Sequence, residues 1–190
     1  MTGTCTLRPA TPDDIPALNA LIATSARVLS AGYYSEPQID AAIRYVFGVD
    51  TTLIADQSYF VAMDGERVIG CGGWSRRRTL YGGDQRRVGE PELLDPTQDA
   101  AKIRAFFVAP DSARRGVGTA ILERCIAAAR EAGFRQLELM ATLPGVPMYE
   151  ARGFVPTETV EDVLPDGTPI TFVRMRRPVD GARTDGGNRP

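Results

Sequence analysis

The sequence contains no histidine. That absence removes the Ser-His-Asp triad, the Cys-His dyad, histidine-ligated zinc and any imidazole general base. Lysine is almost as scarce: Lys102 is the only one, and every other basic residue is arginine. Cys5, Cys71 and Cys125 are scattered and form no CxxC pair. Neither a thiolate metal site nor a dithiol redox centre is expected, and each reads as a small apolar residue in a reducing compartment. No apolar run approaches the roughly eighteen residues a membrane span needs. The N-terminal stretch MTGTCTLRPATPDD has neither a basic nor an apolar signal region, so no secretory leader is expected. A soluble cytoplasmic protein without a membrane partner is the expectation.

What is present is ordinary for a globular chain: 190 residues, 43% apolar, 24% charged, net charge −2. That suits one domain with a full core. Slight acidity argues against nucleic acid as a partner of the whole surface. Thr4 to Arg8 predicts a short strand. Thr11-Pro12-Asp13-Asp14 predicts a capped helix start, followed by an apolar stripe at Ile15, Leu18, Leu21, Ile22 and Val28. Ser35-Glu36-Pro37-Gln38 is a second helix start with capping-box spacing. Between the two helices, Tyr33 and Tyr34 read as exposed loop aromatics. Ser58–Met63 and Arg67–Trp74 flank Asp64-Gly65 as a hairpin. Residues 76–101 turn to Gly, Pro, Asp and Arg and predict a long loop. Strand 102–108, helix 116–132 and strand 135–141 form one βαβ unit. A short helix over 147–152 and a hairpin of 155–163 with 170–176 complete the domain, over residues 4–177. The stretch 178–190 is expected to be a disordered tail. The fold class is α/β (α+β) with a mixed, mostly antiparallel central sheet flanked by helices.

The chemistry concentrates where the strand 102–108 runs through Val108-Ala109-Pro110 into Arg114-Arg115-Gly116-Val117-Gly118-Thr119 and a helix begins. Unpaired N–H groups at a helix N-terminus attract anions, and glycine lets a ligand approach the backbone closely. No Lys-Ser or Lys-Thr follows, which excludes a P-loop, and Ile121 stands where a Rossmann turn needs Gly or Ala.

This segment resembles the acyl-CoA signature of the GNAT superfamily of N-acetyltransferases: Val-x-Pro on a strand, then Arg/Gln-x-x-Gly-x-Gly/Ala opening a helix. Ala113 departs from the pattern at its Arg/Gln position. Thirty residues on, Tyr149 and Gly153-Phe154 are similar to the family's following strand and short helix, while Leu143-Pro144-Gly145 stands where the family often carries Asn. The resemblance spans roughly residues 4–177.

The resemblance implies a sheet splayed between the strand of Phe106, Phe107 and Val108 and the strand 137–141, with the pantetheine arm of acetyl-CoA in the gap. It places the pyrophosphate on residues 114–119, with Arg114, Arg115, Gly116, Val117, Gly118 and Thr119 as cofactor-binding residues. A backbone N–H near Val108 would polarise the thioester carbonyl, and Tyr149 would serve as the acid beside the leaving thiolate. No metal is implied. The reaction would be direct attack by a primary amine of a small molecule or peptide in a ternary complex, and homodimers are common in the superfamily.

The strand before Val108 carries no carboxylate for a general base. Glu138 is a substitute, or an ion-paired strand residue. On the acceptor side the candidates are Tyr33, Tyr34, Trp74, Arg76 and Arg104. The arginines of Arg76-Arg77-Arg78 either hold a carboxylate or phosphate of the substrate or form a solvated edge. Trp74, Tyr33, Tyr34 and Tyr81 either line the acceptor pocket or pack under the long loop. The rivals to an enzyme are a sensor that holds CoA or acyl-CoA in the same fold without turnover, and an interaction protein whose arginine clusters at 76–78 and 86–87 touch nucleic acid, against which the overall acidity weighs.

Overall fold

The computed structural model describes residues 5–89 and 91–181. Seven strands form one open sheet in the order β1-β2-β3-β4-β5-β7-β6. In chain order they are β1 (Thr6–Pro9), β2 (Tyr59–Asp64), β3 (Arg67–Ser75), β4 (Ala100–Val108), β5 (Gln136–Thr142), β6 (Val155–Val163) and β7 (Pro169–Pro178). Every neighbouring pair is antiparallel except β4 and β5, which are joined through helix α4 (Val117–Glu131). The remaining helices are α1 (Ile15–Leu29), α2 (Glu36–Tyr45), α3 (Thr51–Ala55) and α5 (Val146–Glu150).

The helices cover both faces, as the alternation of β4 shows. Phe106 meets the Tyr149 ring of α5 at 6.2 Å, and Phe107, next in the chain, meets Phe47 after α2 at 5.5 Å. Glycines in β3 make room on the α4–α5 side. A Cβ on Gly70 would lie 2.7 Å from Val117 of α4, and one on Gly72 would lie 2.7 Å from the Phe106 ring. Ile121, Leu122 and Cys125 of α4 are fully buried, as are Leu18 of α1 and Leu137 of β5. Burial pushes the Cys71 thiol up to about 12, which suits the small-apolar reading of that cysteine.

The helix starts follow their capping residues. Ser35 Oγ accepts from Gln38 N–H at 3.4 Å, and Gln38 Oε1 accepts from Ser35 N–H at 3.0 Å. The Thr11-Pro12 start forms a single 3-10 turn before α1 rather than its first α turn. There Asp14 accepts from Thr11 N–H and is held by both terminal nitrogens of Arg8 at 2.7 Å. The Arg8 hydrogen bonds hold the Asp14 carboxyl down at about 2.

Three expectations are corrected. Helix α3 has no predicted counterpart; Asp50 starts it by accepting from Thr52 N–H and Leu53 N–H. Residues 178–181 are ordered, because Val179 is buried and its N–H bonds the Arg135 carbonyl at 2.9 Å; the rest of the expected tail lies outside the described residues. The segment 76–101 is only partly a loop. Arg78 N–H bonds Glu92 O and Leu94 N–H bonds Arg76 O, closing its base, and a 3-10 turn spans Asp84–Arg86. No helix among the described residues is long and apolar enough to cross a membrane.

Midway along β4 the chain breaks register. Cys71 faces Phe107 and Gly73 faces Arg104, so Ala105 and Phe106 together oppose Gly72 as a β-bulge. Ala105 takes the left-handed conformation with φ 57°. The Tyr59 hydroxyl bonds the Ala105 carbonyl at 3.2 Å, and the adjacent Arg104 is buried against Asp50 at 2.7 Å. Arg104 and Asp50 side chains are only 4% and 6% exposed, so neither charge has water as an alternative partner. Removing one of them leaves the other uncompensated. Asp50→Ala, which also removes the α3 cap, is expected to cost about 3–5 kcal/mol in urea unfolding; a loss under 1 kcal/mol would show that the pair does not anchor the bulge.

Candidate acyl-transfer site

Below the bulge, β4 and β5 pair in register from Ala100–Gln136 to Ile103–Leu139, and there the ladder stops. Both strands continue, β4 to Val108 and β5 to Thr142, without bonding each other. The sheet therefore forks. The edge of β4 that faces the fork is Arg104–Val108. Ala109 N–H bonds Ile69 O on β3 at 2.8 Å, so Val108 N–H, one residue back, points the other way. It meets Ser25 Oγ of α1 at 3.3 Å. The expected backbone donor near Val108 is thus present, and it is held by a buried hydroxyl. Ser25 has no counterpart among the predicted site residues. The signal was a polar residue inside the apolar stripe of α1, between Ile22 and Ala26.

The β4 strand leads through the 3-10 turn Pro110–Ser112 into the start of α4. Arg114 is left-handed with φ 62°, and Gly116, the residue before α4, is left-handed with φ 86°. The N–H groups of residues 114–119 find no acceptor among the described residues. Six consecutive donors at the positive end of a 15-residue helix form a cradle for an anion. Arg114 and Arg115 are exposed beside it and form no ion pair among the described residues. A Cβ on Gly116 would meet nothing within 4 Å, so its glycine is required by conformation and leaves the approach open. Gly118 differs: a Cβ there would lie 2.9 Å from the Met148 sulfur, so its smallness serves packing between α4 and α5. Val117 is buried against β3, and Thr119 is half-buried.

Tyr149 lies on α5 between the rings of Phe106 and Phe154, 6.2 and 5.7 Å away, and is 7% exposed. Its hydroxyl makes no hydrogen bond among the described residues. Burial, with the Cys125 thiol adding to it, pushes the phenol far above its ordinary value. Tyr149 therefore stays protonated throughout the neutral range.

The expected acceptor-side residues divide differently. Tyr34 is buried, not exposed: its hydroxyl donates to Thr171 O at 2.6 Å and accepts from Leu143 N–H at 2.9 Å, pinning the α1–α2 connection to β7 and the end of β5. Burial raises that phenol to about 12. Tyr33 is 53% exposed. Trp74 packs against Phe134 at 6.0 Å, on the rung beside Ile103, below the fork. Arg76 is exposed past the end of β3. Arg104 is committed to Asp50 and to the carbonyl of Gly82. Arg77 pairs with Asp56 at 2.8 Å and Arg78 with Glu92 at 2.9 Å. Glu138 is ion-paired, with Lys102 on one side and Arg176 at 2.6 Å on the other. Burial pushes its carboxyl up, but hydrogen bonds from Lys102 and Arg176 more than offset that, so it stays below the ordinary glutamate range and is a poor base.

What stands over the fork instead is an aromatic group that the sequence did not single out. Phe47 meets Phe107 at 5.5 Å and Phe172 at 6.5 Å, and Tyr81 meets Phe172 at 5.4 Å. Tyr81 donates to Asp162, which also binds Arg86. Of the expected acceptor-side aromatics, Tyr81 alone lies here. The fork thus has an anion cradle at one end, unpaired β4 backbone along its side and an aromatic wall on the α1–α2 face.

No curated protein sequence matches this chain. Solved structures do share its fold. A GCN5-related N-acetyltransferase from Rhodopseudomonas palustris is 21% identical, with 92% of this chain and 96% of that one covered and a TM-score of 0.68. The PaiA N-acetyltransferase of Thermoplasma acidophilum, solved with coenzyme A, is 13% identical over 92% and 99%, with a TM-score of 0.62. A phosphinothricin acetyltransferase from Sinorhizobium meliloti, solved with acetyl-CoA, is 21% identical over 97% and 94%, with a TM-score of 0.61. A model of the acetyltransferase (GNAT) family matches residues 24–154, which include the fork, the cradle and Tyr149. The chain belongs to the GNAT acetyltransferase family.

Proposed function

We propose that this protein transfers an acetyl group from acetyl-CoA to a primary amine of a small molecule or peptide, by direct attack while both substrates are bound. The observation that carries the reading is continuity. The edge of β4 that bonds no neighbouring strand leads, through the 3-10 turn Pro110–Ser112, into six unsatisfied N–H groups, which suits a ligand with an amide-bearing arm and a pyrophosphate. Acetyl-CoA supplies the activated thioester.

The chain's own residues have four tasks. The N–H groups of residues 114–119 bind the pyrophosphate charge, with Arg114 and Arg115 adding long-range attraction. The edge of β4 orients the arm through Phe106 and Val108, and Ser25 must release Val108 N–H when a ligand oxygen takes its place. A backbone N–H of this edge lowers the cost of charge developing on the thioester oxygen. Tyr149 faces the departing sulfur. A CoA thiol ionises near about 8.5, well below this buried phenol, so complete proton transfer from Tyr149 is uphill. Tyr149 acts by donating a hydrogen bond to the sulfur as charge builds there. Glu138 is held by Lys102 and Arg176, no free carboxylate stands at the fork among the described residues, and the acceptor amine is expected to react in its neutral form.

Thiol release from acetyl-CoA, followed with and without a mixed panel of primary amines, tests the reading. Acceptor-dependent release is expected; tight CoA binding with no release for any amine would favour the sensor instead. Gly116→Ala forces a side chain into a left-handed position at a cost of about 1–2 kcal/mol, and relief of that strain turns the cradle N–H groups away. The acetyl-CoA dissociation constant should rise about tenfold in calorimetry while the fold persists; an unchanged constant would place the pyrophosphate elsewhere. Tyr149→Phe should lower kcat roughly 10- to 100-fold with acetyl-CoA affinity little changed. Because the phenol is raised, the wild type should show no alkaline loss of kcat/KM from this group up to about pH 10. Full rate in Tyr149→Phe would reduce the residue to a packing role.

A further inference from the structure

A cavity of about 480 Å3 opens on the sheet just below the fork. Its charged wall comprises Lys102 of β4, Glu138 of β5, Arg174 and Arg176 of β7, and Arg78 and Asp99 from the segment between β3 and β4. Four cations thus face two carboxylates. Glu138 serves Lys102 and Arg176 together. The Asp99 carboxylate accepts its own loop's Asp95 N–H at 2.9 Å. The ion partners of Arg78 and Arg174 are Glu92 and Glu158, which lie outside the wall and are 73% and 53% exposed. Such pairs are worth little and yield readily to a better acceptor. Arg174 Nε is buried and has no hydrogen-bond partner among the described residues. The wall therefore holds more positive charge and more guanidinium donors than the protein itself satisfies.

Its position gives that surplus a meaning. Lys102 and Glu138 form the rung immediately before Ile103–Leu139, where the ladder ends. Alternate residues of a strand share a face and lie about 6–7 Å apart. The cavity thus adjoins the base of the fork, on the face that Phe107 shares with α1 and α2.

We propose that this cavity receives an anionic group of the acceptor, a carboxylate or a phosphate, so that the preferred substrates are small primary amines carrying such a group a few bonds from the nitrogen. Arg174 and Arg78 present planar forks suited to two-point binding of either anion. The inference rests on the acetyltransferase reading and deepens it by naming the acceptor class.

The test compares matched amines: β-alanine with β-alaninamide, and phosphoethanolamine with ethanolamine. At least one anionic member should show kcat/KM tenfold or more above its neutral twin, and which pair shows it separates carboxylate from phosphate. In Arg174→Gln that ratio should fall to within about twofold, and Arg174→Lys, which keeps the charge but not the fork, should retain part of it. With acetyl-CoA saturating, so that the cradle at α4 is occupied, inorganic phosphate should compete with the amine. With coenzyme A bound at the cradle, it should also raise the Tm of the wild type and not that of the folded Arg78→Gln, Arg174→Gln double variant. Equal rates within both pairs, or a preference that survives Arg174→Gln unchanged, would overturn the proposal while leaving acetyl transfer intact. If no amine is acetylated, the transferase reading fails, and the phosphate-dependent Tm shift with its loss in the double variant decides the anion site alone.

Discussion

The structure turns on where the β4–β5 ladder stops. Two parallel strands that could bond along their whole length part after Ile103 and Leu139, and the edge of β4 so exposed bonds no neighbouring strand on that side. The parting is enforced from the other side of β4. The bulge at Ala105 and Phe106 turns the strand, Gly72 admits the Phe106 ring, and Tyr59 holds the carbonyl of the left-handed residue. A fork made this way is a fixed feature of the fold and precedes any ligand, so the ordering cost of opening the sheet is met on folding.

Buried charge secures the fork at two levels. At its first residue, Asp50 fixes Arg104 and starts α3, linking the bulge to the helical layer. Below it, Glu138 joins Lys102 to Arg176 and ties three neighbouring strands across one rung. The lone lysine of the chain thus has a structural post, and both groups restrict motion of β4 relative to its neighbours. The cost of such pairs is desolvation, and their return here is geometric: a strand held at the base of the fork presents its N–H groups in one arrangement.

Much of this was legible in the chain. The βαβ unit, the glycine turn before α4, both hairpins and the capped start of α2 follow from local patterns that need no distant partner, and they appear as read. Residues whose roles depend on long-range packing were not legible. Tyr34 sits in a loop between helices and looks exposed until β7 supplies Thr171 as its acceptor. Arg104 looks like a substrate ligand until the α3 cap brings Asp50 to it. Trp74 looks like a pocket residue until the register of β3 against β4 places it below the fork. Phe47 and Phe172 are 125 positions apart in sequence and meet only when α2 crosses the sheet. Asp50-Thr51-Thr52 before Leu53-Ile54 was a helix start that the pattern did carry, though five residues give too little periodicity to stand out.

The central claim is that the unpaired edge of β4 and the N–H cradle at α4 form one binding surface for acetyl-CoA. Amide hydrogen exchange, resolved by residue with and without coenzyme A, tests it most directly. The account predicts new protection at Val108 and across residues 114–119 on binding, with little change along β1 and β2. Binding without protection at those amides, or with protection concentrated elsewhere in the sheet, would contradict it.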